Sequence, residues 1–381
     1  MRIVHIELAG FYNENMSYQT NMLVKQNCKD GHQVLIISSN YQWCGAQIQR
    51  VPAGESMTDE GARLIRVPYF PSLENFILHK VRYARGVYNI LKDFGPDVIL
   101  SHSLAYWSVR DAIRYKKEHP EVRFYADTHT AYENSGTNWL SRHILHQIFY
   151  RSLVQLALPY LEKYWYIGIG EKKFSQEVYG VPESRMECYP LGGELFPRKV
   201  YEEKRNRRRA ELGLAQNEIL LVHTGKLGPL KRTAELLQAF SNVHELKARL
   251  IIIGAIPEET KTEILTQIDQ DYRVEYLGWK NADDLMEYLC ACDLYCQPGS
   301  GSATLQNAIC CGCPVVAFPI DSYVELLDCG QFFWVQTQND MEEVFRKIAE
   351  DTSVLLSKTE KAWECAREVL DYRKLAARLY Q

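Results

Sequence analysis

A chain of 381 residues is too long for one ordinary hydrophobic core and long enough for two α/β domains. With 46% hydrophobic residues, and 44 basic side chains against 48 acidic for a net charge of -4, it reads as globular rather than as a neutraliser of a phosphate polymer, so nucleic acid is not an expected partner. No uninterrupted apolar run approaches the roughly 20 residues of a membrane span.

The N-terminus, Met1 to Ile6, has the look of a first strand rather than of a signal peptide, and the expected location is the cytoplasm. The 11 cysteines are odd in number and widely spread, which suits reduced, buried thiols. Cys290, Cys292, Cys296, Cys310, Cys311 and Cys313 cluster late in the chain, and are read as small core residues rather than metal ligands.

In chain order, a strand over Arg2–Glu7 leads into a polar and aromatic loop and a helix closed by Asp30-Gly31-His32. The apolar run Gln33–Ile37 is a buried strand. Further strands are expected at 64–67, 97–101, 123–127 and 164–169, with helical spacing over 76–94 and 107–118 between them. This cadence predicts a parallel sheet covered on both faces. Gly168-Ile169-Gly170 follows a strand, but Lys173 stands where a dinucleotide fingerprint needs its third glycine.

Pro190-Leu191-Gly192-Gly193 interrupts the pattern, and a basic stretch over 198–209 is read as a linker into a second domain. The cadence then restarts with strands at 218–224, 248–253, 274–277, 293–297 and 314–318, and helices at 233–243, 282–290 and 304–311. The expected fold is α/β, with two doubly wound Rossmann-like domains over 1–195 and 196–381, the last helix packing back on the first. In open parallel sheets ligands sit beyond the C-terminal strand ends, so the functional site is expected in a cleft between the two.

The segment His223-Thr224-Gly225-Lys226-Leu227-Gly228-Pro229-Leu230-Lys231-Arg232 resembles the retaining GT-B glycosyltransferases that include many bacterial polysaccharide and lipopolysaccharide enzymes. Tyr166–Pro190, Tyr276-Leu277-Gly278-Trp279, and Asp293–Pro298 running to Gly312-Cys313-Pro314 agree with it in order and spacing. The resemblance implies transfer of a sugar from a nucleotide-sugar to a hydroxyl of a glycan or lipid-linked acceptor, with retention, in cell-surface polysaccharide synthesis. It implies no cofactor, and no divalent metal is expected.

Lys226 and Lys231 lie between a strand end and a helix start, where positive charge meets a leaving diphosphate. Read alone they are equally two solvated lysines, but the resemblance assigns both to the donor phosphates. The small-residue run Pro298-Gly299-Ser300-Gly301-Ser302, with Thr304 opening the next helix, lets a backbone approach an anion or simply caps that helix. The family places a Glu, seven residues, then a second Glu, where this chain has Gly299 and Asn307. Asn307 retains an amide for a ribose hydroxyl, whereas Gly299 offers only backbone. Trp279, at a strand end, is a candidate for the base.

His129, closing Asp127-Thr128-His129, matches a family histidine near the donor sugar, where an imidazole donates a hydrogen bond as charge builds; otherwise it caps a strand end. His102 sits at another strand end. Gly10, Glu14 and Asn15, in the first loop, are expected on the acceptor side.

The amphipathic pattern over 139–161, with Arg142 and Arg151 among apolar residues, suits either a core-facing helix or peripheral contact with the inner membrane surface. Two other functions fit a nucleotide-sugar site of this kind: an epimerase acting on the donor alone, and a binder without catalysis.

Overall fold

The structure, a computed structural model, describes residues 1–44, 47–70, 78–215 and 217–380. The chain forms two compact units, Met1–Pro190 with Arg373–Gln381, and Leu191–Tyr372.

The first unit is built on ten strands: β1 (Arg2–Glu7), β2 (Gln33–Ser39), β3 (Tyr41–Cys44), β4 (Gln47–Arg50), β5 (Gly54–Met57), β6 (Arg63–Val67), β7 (Val98–His102), β8 (Arg123–Thr128), β9 (Lys163–Tyr166) and β10 (Met186–Cys188). Eight of them form one sheet in the order β10-β9-β8-β7-β1-β2-β6-β5. Every pairing in it is parallel except that of the edge strand β5 with β6. Ile3, Val4, Ile6, Leu35, Ile36, Ile37, Val98, Ile99 and Leu100 are fully buried, as continuous apolar runs must be when both sheet faces are covered.

The second unit carries β11 (Ile219–Lys226), β12 (Ala248–Ala255), β13 (Val274–Tyr276), β14 (Leu294–Gln297), β15 (Val315–Ala317) and β16 (Phe332–Trp334), all parallel, in the order β13-β12-β11-β14-β15-β16. Both orders contain one reversal of direction. In the first sheet it falls between β1 and β7, and in the second between β11 and β14. Such switch points leave a crevice at the carboxyl ends of the two strands, where the crossing loops diverge. The strand ends there are Glu7 and His102 in one unit, and Lys226 and Gln297 in the other.

Several sequence expectations need correction. Of the helical pattern over 76–94, residues 76 and 77 lie outside the described residues, and the rest forms a 3-10 turn, Leu78–Val81, and a helix only over Val87–Phe94. Arg82 at φ 51° and Gly86 at φ 84° are left-handed and cannot continue a helix. The strand expected to reach 169 stops at Tyr166, and Ile169 begins a helix to Glu177. The hairpin β3–β4 was not foreseen; its strands are only four residues each, and the alternation in Tyr41-Gln42-Trp43 and Gln47-Ile48-Gln49 is too short to stand out.

The basic stretch read as a linker is the helix Arg198–Glu211. Three of its arginines turn inward to carboxylates: Arg205 to Asp293 at 2.5 Å, Arg209 to the same residue at 2.7 Å, and Arg208 to Glu287 and Asp284 at 2.9 Å. A run of like charge becomes a packed helix when its partners arrive from elsewhere in the fold.

The returning segment Arg373–Gln381 is anchored in the first unit by stacked rings. Tyr125, Trp165 and Tyr189 stack with centroids 4.6 and 4.3 Å apart, and the Arg378 guanidinium lies 5.2 Å from the Trp165 ring and 4.8 Å from that of Tyr189. Arg378 donates to the Cys188 carbonyl at 2.8 Å, and the Tyr189 hydroxyl donates to the Leu375 carbonyl at 2.8 Å. The Tyr380 hydroxyl accepts from Asn27 at 2.5 Å and donates to Asp30 at 3.0 Å. Tyr380→Phe removes both bonds and strands the Asn27 amide; a loss of about 1 kcal/mol is expected in urea unfolding followed by tryptophan fluorescence, and an unchanged midpoint would refute the anchor.

Candidate functional site

The crevice of the first unit opens into a cavity of about 1290 Å³. Glu7, Gly10, Thr20, Asn21, His102, Ser103, His129 and Asn134 supply polar groups, and Phe11, Trp43, Leu140, Ile144 and Phe149 apolar wall. Three sequence candidates, Gly10, His102 and His129, therefore share one chamber. Glu14 and Asn15 do not line it: Glu14 pairs with Arg66 at 3.1 Å, and Asn15 is exposed in a left-handed conformation.

Behind the chamber runs a buried polar chain. Asp127, fully buried, accepts from His102 Nδ1 at 2.8 Å, and His102 Nε2 meets His5 Nδ1 at 3.0 Å. His5 Nε2 meets Asn27 Oδ1 at 2.8 Å, which leads to Tyr380. Burial pulls the pKa of His102 down, but the Asp127 carboxylate prevails and holds it above the usual value. Burial pushes the Asp127 pKa up, and the charge and hydrogen bond of His102 carry it below the ordinary carboxylate value. His5 is lowered to about 3, by burial and then by His102. The consistent assignment is His102 as imidazolium donating to both neighbours, and His5 neutral, passing its remaining proton bond to Asn27.

The second Asp127 oxygen, Oδ1, is buried without a hydrogen-bond partner, and His129 Nε2 stands 3.7 Å from it. The His129 side chain is 43% exposed at the chamber floor. Its enclosed setting holds the pKa below the usual value, against the pull of Asp127. At neutral pH His129 is thus a neutral imidazole, with a waiting carboxylate oxygen to stabilise any proton it takes up.

Sequence reasoning missed Glu7. Its carboxyl lines the chamber, accepts from Thr20 at 2.9 Å, and is raised in pKa by burial. A side chain at Gly10 would meet the Glu7 carboxylate at 2.6 Å and displace it. The signal was available: Glu7 is the last residue of the strand at the switch point.

In the second unit, Lys231 and the 298–302 turn form one structure. Lys231 is buried, and its Nζ donates to the carbonyls of Ser300 at 2.7 Å and Gly301 at 2.9 Å. Two of the three ammonium hydrogens are so used, leaving one for a ligand. Burial lowers the Lys231 pKa to about 8. Ser300 N donates to the Leu230 carbonyl at 2.7 Å, and Ser302 joins through Gln297 to Tyr295 and Thr224. Gly301 lies against the Tyr323 hydroxyl, which accepts from Ser302 N at 3.0 Å. Gly225, beside the Lys231 side chain, is left-handed at φ 133°.

Lys226, the last residue of β11, is exposed, so the two lysines hold different positions: one locks the turn, the other stands free at the strand end. Thr304 begins the helix to Cys310, and Asn307, half-buried, approaches Gly193. Trp279 stands 75% exposed beyond β13. Arg232, given no role from sequence, donates to the carbonyls of Pro298 at 3.3 Å and Gln336 at 2.9 Å from a left-handed backbone at φ 56°.

The glycine at 299 has a steric cause. A side chain there would lie 2.1 Å from the Leu230 carbonyl oxygen and 2.8 Å from the Lys231 carbonyl carbon. The family's carboxylate cannot be accommodated with this backbone.

Groups with a superficial metal pattern are otherwise engaged. Cys310 and Cys313 stand at a two-residue gap, yet both are buried, and Cys313 donates to the Leu289 carbonyl at 3.3 Å. The chain's one Asp-x-Asp, Asp269-Gln270-Asp271, closes a helix, with Asp271 held by Arg273 at 2.7 Å.

Against known proteins, residues 204–364 match the family model described as Glycosyl transferases group 1. A curated relative, N-acetyl-alpha-D-glucosaminyl L-malate synthase of Bacillus anthracis, is 26% identical over 138 residues, and the match spans 36% of that protein's length and 35% of this chain. Among solved structures, sucrose-phosphate synthase from Thermosynechococcus elongatus superposes with a TM-score of 0.68 at 14% identity, covering 100% of this chain and 98% of the other. The fold is GT-B. Anabaena HepE in complex with UDP gives 0.65 at 16% identity, with the same coverage of both chains. WaaG, a glycosyltransferase involved in lipopolysaccharide biosynthesis, gives 0.56 at 17%, covering 100% of this chain and 99% of that one. The matched domain and this fold support a glycosyltransferase.

Substituting Gly299 tests the crossing. Gly299→Ala is expected to cost about 1–3 kcal/mol by overpacking, and Gly299→Glu, a far larger side chain at the same crossing, to cost more. Denaturant unfolding reads both; a Gly299→Glu protein as stable as the wild type would contradict the geometry.

Proposed function

We propose that this protein transfers a sugar from a nucleotide-sugar donor to an acceptor hydroxyl. The second unit holds the donor diphosphate at Lys226, Lys231 and the 298–302 turn, with Thr304, Asn307 and Trp279 around the nucleoside and sugar. The first unit handles the acceptor with His129, His102, Gly10 and Glu7. The observation that carries this reading is the Lys231-locked turn at the switch point of a domain matching group 1 glycosyltransferases.

In the reaction proposed, the bond from the anomeric carbon to the diphosphate breaks and a glycosidic bond to the acceptor oxygen forms. The hydroxyl proton passes to the departing phosphate oxygen on the same face, giving retention. Charge that builds on the diphosphate meets the cations at 226 and 231. In the chamber of the first unit His129 donates or accepts a hydrogen bond with the acceptor, with Asp127 Oδ1 in reserve. The step routes no charge through a metal, so turnover is expected to persist in excess chelator. Cell-surface glycan synthesis is the setting proposed, after WaaG, which is involved in lipopolysaccharide biosynthesis.

A non-catalytic nucleotide-sugar binder is the second reading, favoured by the missing carboxylate at 299. Donor consumption in the presence of candidate acceptors separates the two.

The donor reading makes a pH prediction. A diphosphate is held by the ammonium form of Lys231, and that form is lost as pH rises through about 8. UDP affinity measured calorimetrically is expected to fall by up to about tenfold per pH unit above that point. Lys231→Met is expected to flatten the profile. A pH-independent affinity in the wild type would sink the role given to Lys231.

Peripheral membrane contact is proposed for the helical region beginning at Trp139. Among the described residues no helix is long and apolar enough to cross a membrane. Trp139, Leu140, Ile144 and Ile148 are 69%, 65%, 46% and 63% exposed along that region, an apolar stripe suited to a bilayer surface. Arg142 is tied to the Gly136 carbonyl at 3.1 Å, and Arg151 packs against Gly180, so the apolar residues supply most of the contact. Trp139→Ser/Ile148→Ser, which leaves the chamber wall unchanged, is expected to abolish flotation with anionic liposomes; equal flotation with the wild type would remove this contact.

A further inference from the structure

One end of the chamber in the first unit carries positive charge that the reaction above leaves unused. Lys80 and Arg82 both line it, on the turn between β6 and the helix Val87–Phe94, together with His146. The turn is built to hold them. The Tyr150 hydroxyl donates to the Lys80 carbonyl at 2.7 Å, and the Arg82 guanidinium lies 5.7 Å from the same ring while donating to the Ala105 carbonyl at 3.1 Å.

Arg82 adopts a left-handed backbone, φ 51°, which a non-glycine residue keeps only when its surroundings enforce it. Neither cation pairs with a carboxylate among the described residues. Their neighbours register uncompensated charge. Burial and then Arg82 pull the Lys80 pKa down, and burial, Arg82 and Lys80 together bring His146 to about 4. Two like charges on one strained turn at the chamber edge, Arg82 held by its contacts and Lys80 exposed, with no carboxylate partner among the described residues, repel each other, and an anion between them would offset that repulsion.

We propose that the Lys80–Arg82 turn is an anion subsite, and that the acceptor carries a phosphate-type group seated there while its reacting hydroxyl lies toward His129 and Glu7. This rests on the reading of the chamber as the acceptor site. The phosphate can belong to a soluble sugar phosphate or to a lipid headgroup, since both present the same oxygens to a guanidinium and an ammonium.

The test uses the full chain saturated with UDP, which fills the donor site so that added phosphate reports on the chamber alone. One arm titrates glucose 6-phosphate calorimetrically; the other measures binding to phosphatidylcholine vesicles with and without phosphatidic acid. Wild type is compared with Lys80→Gln/Arg82→Gln, and with Lys80→Glu alone, a change at an exposed position that leaves the fold intact should the double variant fail. Loss of two charge-assisted contacts is expected to weaken binding by about tenfold or more, with UDP affinity unchanged. Dependence on these residues in the first arm identifies a soluble phosphate ester, and dependence only in the second a lipid-borne one. Binding in neither arm, or binding equal in all three proteins, overturns the subsite. Failure of UDP to bind in the preliminary titration counts instead against the proposed function, and the phosphate arms are then read without it.

Discussion

Where the 298–302 turn passes the backbone of Leu230 and Lys231, no side chain fits between the two segments, and everything at the candidate donor site follows from that crossing. The Ser300 amide bonds the Leu230 carbonyl, and the Lys231 ammonium turns back onto Ser300 and Gly301. The result is a rigid turn with a cation behind it. Rigid placement matters because a group that must meet charge developing on a leaving phosphate contributes most when it need not reorganise. The same crossing excludes the carboxylate that the family resemblance places at this position, so steric fit and chemistry are decided by one backbone contact.

The first unit solves a different electrostatic problem. A fully buried carboxylate, Asp127, is tolerated because His102 is charged beside it, and His102 is tolerated because it gives its second proton bond to a neutral His5. Breaking such a pair from one side leaves an uncompensated buried charge, which is far more costly than the pair is stabilising. The arrangement fixes the orientation of Asp127 and keeps one of its oxygens available on the side of His129.

Much of this was legible in the residues. Continuous apolar runs at 33–37 and 219–224, each followed by glycine or a polar loop and a helical pattern, dictate parallel sheets covered on both faces. The strand-end positions of His102, His129, Gly225 and the 298–302 turn were visible in the sequence, and the structure brings His102 and His129 to one chamber and Lys231 onto the turn. What failed had identifiable causes. The basic run 198–209 looked solvated because its partners Asp293, Glu287 and Asp284 lie some eighty residues away in sequence. Glu7 entered the sequence reading only as the end of a strand, because an acidic residue in a strand carries no local signal that it faces a chamber. The separate fates of Lys226 and Lys231 follow from backbone direction at the end of β11, which side-chain type does not encode. Trp279 shows the converse limit: a strand-end position is visible in the sequence, but its exposure is not.

The segment Arg373–Gln381 belongs to the unit whose remaining residues are all made before residue 191. During synthesis the apolar core of the first unit can form from residues made before 191, but the faces of Trp165 and Tyr189 stay uncovered and the Asn27 amide unmatched until the segment beyond the second unit is made. A nascent chain stalled inside the second unit would therefore display an incomplete aromatic surface to chaperones and proteases.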